Sequence, residues 1–204
     1  MPLSPDEQNR IEAAVIAAEK RTSAEFALVV ADAADDYDAY PILWAALLAL
    51  VTGGAIAVLE PGLGLKLAFA AQAMVFLVAG LLLHLPVLRP FLAPASVRRD
   101  EAAKLARLQF AALVQERTQG SAGLLLFVSL AEHHVEILPD RAIAERIPEA
   151  AWREIVDGFV TQMRASQLAD GFVTAVERCT AILESHFPVE PGDRDELSNR
   201  VTLI

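Results

Sequence analysis

Two long apolar runs in the middle of the chain constrain everything around them. Ile42 to Leu59 carries no charged residue, Leu67 to Leu83 carries none, and only Glu60 and Lys66 interrupt the stretch between them. An α-helix needs ~20 residues to cross a hydrocarbon layer ~30 Å thick, and each run approaches that length. The linker Glu60-Pro61-Gly62-Leu63-Gly64-Leu65-Lys66 carries the Pro and Gly of a tight reversal. Two spans joined by a short turn return the chain to the side it left, so both flanks face one compartment and can fold together. The competing reading is a helical hairpin buried in a soluble core. The 54% hydrophobic content and the mean hydropathy of +0.39 are high for a soluble protein, and the excess is concentrated here, which favours the membrane. In the first run Ala45, Ala49, Gly53 and Ala57 recur at four-residue spacing, a ridge that allows close helix–helix approach. Gln72 in the second run either bonds across the hairpin or to another subunit, or stands as a tolerated lone polar residue.

Several function classes are excluded or disfavoured by composition. The formal net charge of −10 argues against a nucleic-acid binder, whose affinity rests on neutralising phosphates. A single cysteine, Cys179, allows no intrachain disulfide and no thiolate metal cage; its spacing with Phe172, Val176 and Leu183 puts it on a helix's apolar stripe as a small buried hydrophobe. Met1-Pro2-Leu3-Ser4-Pro5 lacks the basic and apolar regions of a signal peptide. The basic residues near the hairpin ends, Arg89, Arg98, Arg99 and Lys104, stand on the domain side against Lys66 alone in the turn. The positive-inside rule then puts the soluble part in the cytoplasm.

The flanks read as one α/β domain. Ser4-Pro5-Asp6-Glu7 is a capping box with Pro at the first helical position, and Ile11, Ala14, Val15 and Ala18 give the helix one apolar face. Glu25 to Val30 is a short apolar strand. After the hairpin, Pro86, Pro90 and Pro94 punctuate an interfacial segment, and Ala103, Ala106, Phe110, Leu113 and Val114 mark an amphipathic helix ending near Gln119-Gly120. Leu124 to Leu130 is continuously apolar, hence a strand covered on both faces. Val135 to Leu138 follows closely enough to form a hairpin through Ala131-Glu132-His133-His134. Two further helices carry stripes at Trp152, Ile155, Val156, Phe159 and Met163, and at Phe172, Val176, Cys179 and Leu183. A helical crossover between the first two strands favours a parallel, right-handed pairing. The expected architecture is a small mixed β-sheet flanked by helices, with an inserted two-helix transmembrane hairpin. The soluble domain covers residues 1–41 and 89–190, the hairpin 42–88, and a polar tail 191–204.

Four segments carry a family likeness: Leu3-Ser4-Pro5-Asp6, Arg21-Thr22-Ser23-Ala24-Glu25, Gly123 to Glu132, and Asp170-Gly171-Phe172. Taken in order they resemble the TPM-domain family, and within it the bacterial branch whose domain is interrupted by a transmembrane hairpin. Val128-Ser129-Leu130-Ala131-Glu132 is the most specific part. Ala24 departs from the Gly expected there, and Asp195-Glu196-Leu197-Ser198-Asn199-Arg200 follows the family's Asn-Glu-Leu pattern loosely. The resemblance implies a compact α/β sandwich; with the hairpin and its basic flanks, the expected location is a bacterial inner membrane. Family members have been linked to photosystem repair, to respiratory or envelope membrane complexes and to receptor-channel accessory roles. Acid phosphatase activity and divalent-cation binding have been attributed to some.

Candidate chemistry centres on carboxylates. Asp32, Asp35, Asp36 and Asp38 cluster after the first strand, and Ca²⁺ or Mg²⁺ takes several oxygen ligands from such loops. The spacing lacks the Gly and distal Glu of an EF-hand, so a solvated acidic loop is the alternative. Asp140 either joins Asp32 in one shallow acidic site or caps a short helix beginning near Ala142. His133 and His134, being adjacent, point to opposite faces of an extended segment and suit a turn better than a metal. Ser23 and Ser129 lack a spaced His/Asp set that would mark a nucleophile, and no glycine pattern suggests a nucleotide or redox cofactor. Arg98-Arg99 suit contact with anionic headgroups. Two functions remain. One is a noncatalytic accessory or scaffold protein whose partners are the lipid bilayer and a membrane protein complex or a second copy, with a divalent cation as an optional ligand. The other is a metal-assisted acid phosphatase using the Asp32/Asp140 edge.

Overall fold

The computed structural model describes residues 3–115, 122–189 and 197–204. The chain forms two compact units, Met1–Ala34 together with Arg99–Ile204, and Asp35–Arg98. The first is the sheet domain, assembled from both flanks of the insertion; the second is the hairpin.

In the sheet domain, helix α1 (Pro5–Glu19) starts on the expected capping box. The Ser4 hydroxyl accepts from the Glu7 N–H at 3.3 Å, and the Glu7 carboxylate accepts from the Ser4 N–H at 2.8 Å. That N–H, followed by the Ser4 hydroxyl, holds the Glu7 carboxyl below its usual range, so this cap is present at neutral pH and is lost as pH falls through the lowered value. Strand β1 (Ala24–Ala31) is buried along its whole length. Helix α5 (Ala95–Phe110) runs into a π-helical turn, Ala111–Gln115, with Ala106 and Val114 buried; the expected helix end at Gln119-Gly120 lies outside the described residues. Strand β2 (Ala122–Ser129) is again wholly buried, and β3 (His134–Pro139) alternates, with Val135 and Ile137 inside. Helices α6 (Arg141–Ala144), α7 (Ala150–Arg164) and α8 (Leu168–Leu183) follow.

The sheet order is β3-β2-β1-β4, where β4 is Thr202–Leu203. Strands β1 and β2 pair in parallel from Ala24↔Ala122 to Ala31↔Ser129, and β3 returns antiparallel to β2. The mixed sheet and the parallel central pair agree with the sequence reading. The polar tail does not: Thr202–Leu203 form β4, parallel to β1 opposite Val29 and Val30. The Asp32 N–H donates to the Ile204 carbonyl at 3.0 Å, and Leu197 is buried. An open backbone edge on β1 recruits the β-branched, apolar run Val201-Thr202-Leu203-Ile204.

Because successive side chains alternate, the sheet has two cores. On one face Phe26, Leu28, Val30, Leu124, Leu126 and Val128 pack with the apolar stripes of α1, α7 and α8. On the other, Ala27, Val29, Ala31, Leu125 and Phe127 pack with Ala106, Val114 and Leu197. Cys179 is fully buried on the first side, and burial pushes its thiol up to about 12, as suits a packing residue rather than a nucleophile.

The hairpin comprises α2 (Ala39–Leu59), α3 (Leu65–Leu83) and the short α4 (Arg89–Leu92). With 21 and 19 residues, α2 and α3 are long and apolar enough to cross a membrane, about 30 Å at 1.5 Å per residue. Their large apolar side chains point outward: Val58 is 79% exposed, Leu65 85% and Leu81 76%. A buried helical pair in a soluble core would show the reverse.

Gly171, in the Asp170-Gly171-Phe172 segment, is fixed by packing. Phe159 and Phe172 meet edge-to-face at 4.8 Å, and a Cβ on Gly171 would fall 2.5 Å from Phe159 Cε2. Gly171→Ala removes a helix-interior glycine, worth up to ~1 kcal/mol in favour, yet overpacks a buried ring at a cost of about 1–3 kcal/mol. The expected result is a lower melting temperature of the full chain in detergent; an unchanged or higher one would mean that Phe159 moves freely.

Candidate functional site

Strand register decides which acidic residues can act together. Asp32 follows the last residue of β1, where Ala31 pairs with Ser129. Asp140 follows β3, whose Pro139 pairs with Leu124 at the opposite end of β2. At ~3.3 Å per residue the two carboxylates stand roughly 20 Å apart along the sheet, whereas a shared Ca²⁺ would need both within about 2.6 Å of the ion. The joint Asp32/Asp140 site expected from sequence is therefore corrected: the two belong to opposite ends of the sheet.

Asp140 has the other role considered for it. Its Oδ1 accepts from the Ile143 N–H at 2.9 Å, capping α6, and its Oδ2 accepts from the Gly123 N–H at 3.0 Å. The Asp140 N–H in turn donates to the Gly123 carbonyl at 2.8 Å. One side chain thus fastens the start of β2 to the turn out of β3. Asp32 is exposed, while its backbone holds Ile204 on one side and the Ala131 N–H on the other, both at 3.0 Å. Asp35 and Asp36 stand in the hairpin unit, both exposed, with the Asp36 N–H bonded to Asp35 Oδ1 at 2.8 Å. Among the described residues, no three His, Cys, Asp or Glu side chains converge as a metal ion would require.

At the Asp32 end the structure assembles a polar cluster that the sequence reading missed. The buried Ser129 hydroxyl donates to Glu132 Oε2. The Ala34 N–H lies 3.2 Å from each oxygen of the same carboxylate. Glu132 sits in the tight turn between β2 and β3, where His133 adopts φ 51°. His133 is thus the turn residue, as expected, while His134 begins β3 directly opposite Ser129. Opposed residues of an antiparallel pair share a face, so Ser129, His134 and Glu136 line one side, with His134 Nε2 3.0 Å from Glu136 Oε2. Alternation along β2 and β3 held this signal, but reading it required the register. Ser129 is solvent-inaccessible and Glu132 is committed to the hydroxyl and the Ala34 amide. The cluster therefore ties the β2–β3 turn to the segment leaving β1 rather than presenting a nucleophile.

The hairpin has its own polar end. The Asp38 carboxylate bonds the Arg89 guanidinium at 2.8 Å and lies 3.8 Å from His84 Nε2. Arg89 Nε also donates to the His84 carbonyl at 2.9 Å. The Trp44 indole N–H donates to the Leu92 carbonyl at 3.1 Å, and Tyr37 and Tyr40 stack at 6.5 Å in tilted geometry. An arginine and amphipathic aromatics gathered at one end of two apolar helices match the composition of a membrane–water interface. Asp38, grouped by sequence with the acidic loop, is thus the counter-ion of this end.

Residues 97–182 match the model of the TPM domain. The match begins where the inserted unit ends and runs from α5 through most of α8; α1 and β1 lie on the far side of the insertion. The NMR structure of the BA42 protein from the psychrophilic bacterium Bizionia argentinensis is similar in fold. Its TM-score is 0.61 at 16% identity, with 98% of this chain and 94% of that chain covered. No curated protein matches. Over residues 97–182 the chain is thus similar to the TPM domain family.

Proposed function

We propose that the chain is a membrane-anchored TPM domain that serves as an accessory or scaffold subunit of a membrane protein complex, held on the cytoplasmic face of a bacterial inner membrane. The observation that carries this reading is the inserted hairpin. Its two helices are long and apolar enough to span, their large side chains face outward, and one end gathers Asp38, Arg89, Trp44 and Tyr40. Exposed apolar surface on this scale marks a membrane or partner interface. Orientation is supported by charge: Arg89, Arg98, Arg99 and Lys104 flank the domain-side ends, against Lys66 in the turn. Arg98 and Arg99 suit anionic headgroups at about 1 kcal/mol each.

The phosphatase reading relied on Asp32 and Asp140 acting together, and their separation along the sheet removes that pairing. Both oxygens of Asp140 already serve backbone donors, so a cation role would fall to exposed carboxylates acting separately, Asp32 on one unit or the adjacent Asp35 and Asp36 on the other.

Orientation is tested with reporters. A fusion after Ile204 should be cytoplasmic and one at Gly62 exported, with the protein resisting carbonate extraction from membranes. An exported C-terminal fusion would reverse the assignment, and extraction would remove the anchor.

The role of Asp140 is tested separately. Asp140→Ala strips a cap and a second backbone acceptor, so stability should fall by about 1–2 kcal/mol. The fall should be equal with and without millimolar Ca²⁺ or Mg²⁺ at fixed ionic strength, and no phosphomonoester turnover should be lost with it. A cation-dependent melting shift or a hydrolytic activity that disappears in this variant would restore Asp140 as a site residue.

A further inference from the structure

Away from the helix ends, Thr52 of α2 and Gln72 of α3 are polar, and only the first is satisfied. The Thr52 hydroxyl bonds the Leu48 carbonyl one turn back at 2.8 Å. The Gln72 carboxamide, in α3, has no hydrogen-bond partner among the described residues. Its position is set by Gly53 of α2. A Cβ there would lie 2.8 Å from Gln72 Oε1, 3.0 Å from Cδ and 3.2 Å from Nε2. The amide therefore lies across the bare backbone at Gly53, in a notch that any larger residue would close.

Beside that notch an open groove runs along the hairpin, lined by Gly53, Gly54, Ala57, Ala68, Phe69 and Gln72 among others. Gly54 does a different job from its neighbour. It is exposed, and a Cβ on it would meet nothing within 4 Å. Internal packing gives no reason for this glycine, although glycine disfavours a helix interior by about 1 kcal/mol relative to Ala. It leaves a flat patch at which a second backbone can approach closely.

In hydrocarbon no water satisfies an amide, so an unpaired carboxamide there is costly. A carboxamide offers both a donor and an acceptor and is complementary to itself. A two-fold axis brings identical residues face to face, so a second copy supplies what Gln72 lacks with no further requirement on sequence. We propose that the hairpin pairs with a second copy of this chain about a two-fold axis, through reciprocal Gln72–Gln72 hydrogen bonds, with Gly54 and Ala57 setting the close approach. This rests on the reading of α2 and α3 as membrane-spanning. A helix of another membrane protein would satisfy the amide only if it carried a matching polar group at that depth.

The test uses the full chain, labelled at its amino terminus with donor or acceptor fluorophores and reconstituted in phosphatidylcholine vesicles over a range of protein-to-lipid ratios. The wild-type protein should show energy transfer above random proximity that saturates with ratio. Gln72→Leu should weaken association roughly tenfold, in line with two interhelical hydrogen bonds, and Gln72→Asn should restore part of it. Gly54→Leu should weaken it as well. A Cβ at position 54 meets nothing within 4 Å and the glycine is lost from a helix interior, so helicity should not fall and misfolding is separated from lost pairing. A wild-type protein that inserts but stays monomeric, or Gln72→Leu and Gly54→Leu variants that pair as the wild type does, would overturn the proposal while leaving the anchor intact. A protein that does not insert would overturn both.

Discussion

The parallel pairing of β1 with β2 is the interaction on which the sheet domain depends. Parallel neighbours require a crossover connection, and here that connection contains the entire hairpin and α5. The eight-residue register from Ala24↔Ala122 to Ala31↔Ser129 joins chain segments nearly a hundred positions apart, so loop closure is entropically costly. That cost grows only slowly with loop length, and a hairpin that returns to its starting side supplies much of the closure by itself. Both cores need the pairing: β1 and β2 contribute Phe26, Leu28, Leu124 and Leu126 to one face and Val29, Ala31, Leu125 and Phe127 to the other.

Around that pair, polar contacts close the sheet ends. Asp140 binds the amide of Gly123 at the start of β2 and the amide of Ile143 in α6. At the other end Glu132 joins the Ser129 hydroxyl to the Ala34 amide. Both carboxylates satisfy backbone donors that would otherwise be lost to the ladder, and a buried unsatisfied donor costs about 1–3 kcal/mol. Asp140 and Glu132 therefore hold turns in place, which is why the number of acidic residues alone was a poor guide to chemistry.

Much of the fold was legible because it is written in periodicity. The apolar runs of β1 and β2, the stripe Trp152, Ile155, Phe159 and Met163 on α7, and that of Phe172, Val176, Cys179 and Leu183 on α8 appear where expected. The hairpin was legible from length and charge. What could not be read was anything that depends on register or on an edge. Val201-Thr202-Leu203-Ile204 is a β-branched, apolar run that marks a strand locally, but its partner, the edge of β1 opposite Val29 and Val30, is set by the tertiary fold. Asp32 and Asp140 looked alike as residues following strands, but β3 runs antiparallel to β2, which sends Asp140 to the far end. Ser129, Glu132 and His134 were all noticed individually, and the tight turn at His133 that brings them together is a tertiary fact.

Two segments separated by an inserted helical hairpin pair in one sheet, which should unfold as a single cooperative unit. That cooperativity is tested most directly by replacing residues 42–83 with a short Gly/Ser linker and following amide hydrogen exchange in β1 and β2 under increasing denaturant. The account predicts a soluble domain in which the peptides covering 24–31 and 122–129 open together, with the same free energy and the same denaturant dependence. Rapid exchange of β1 beside a protected β2, or two separate unfolding transitions, would contradict it.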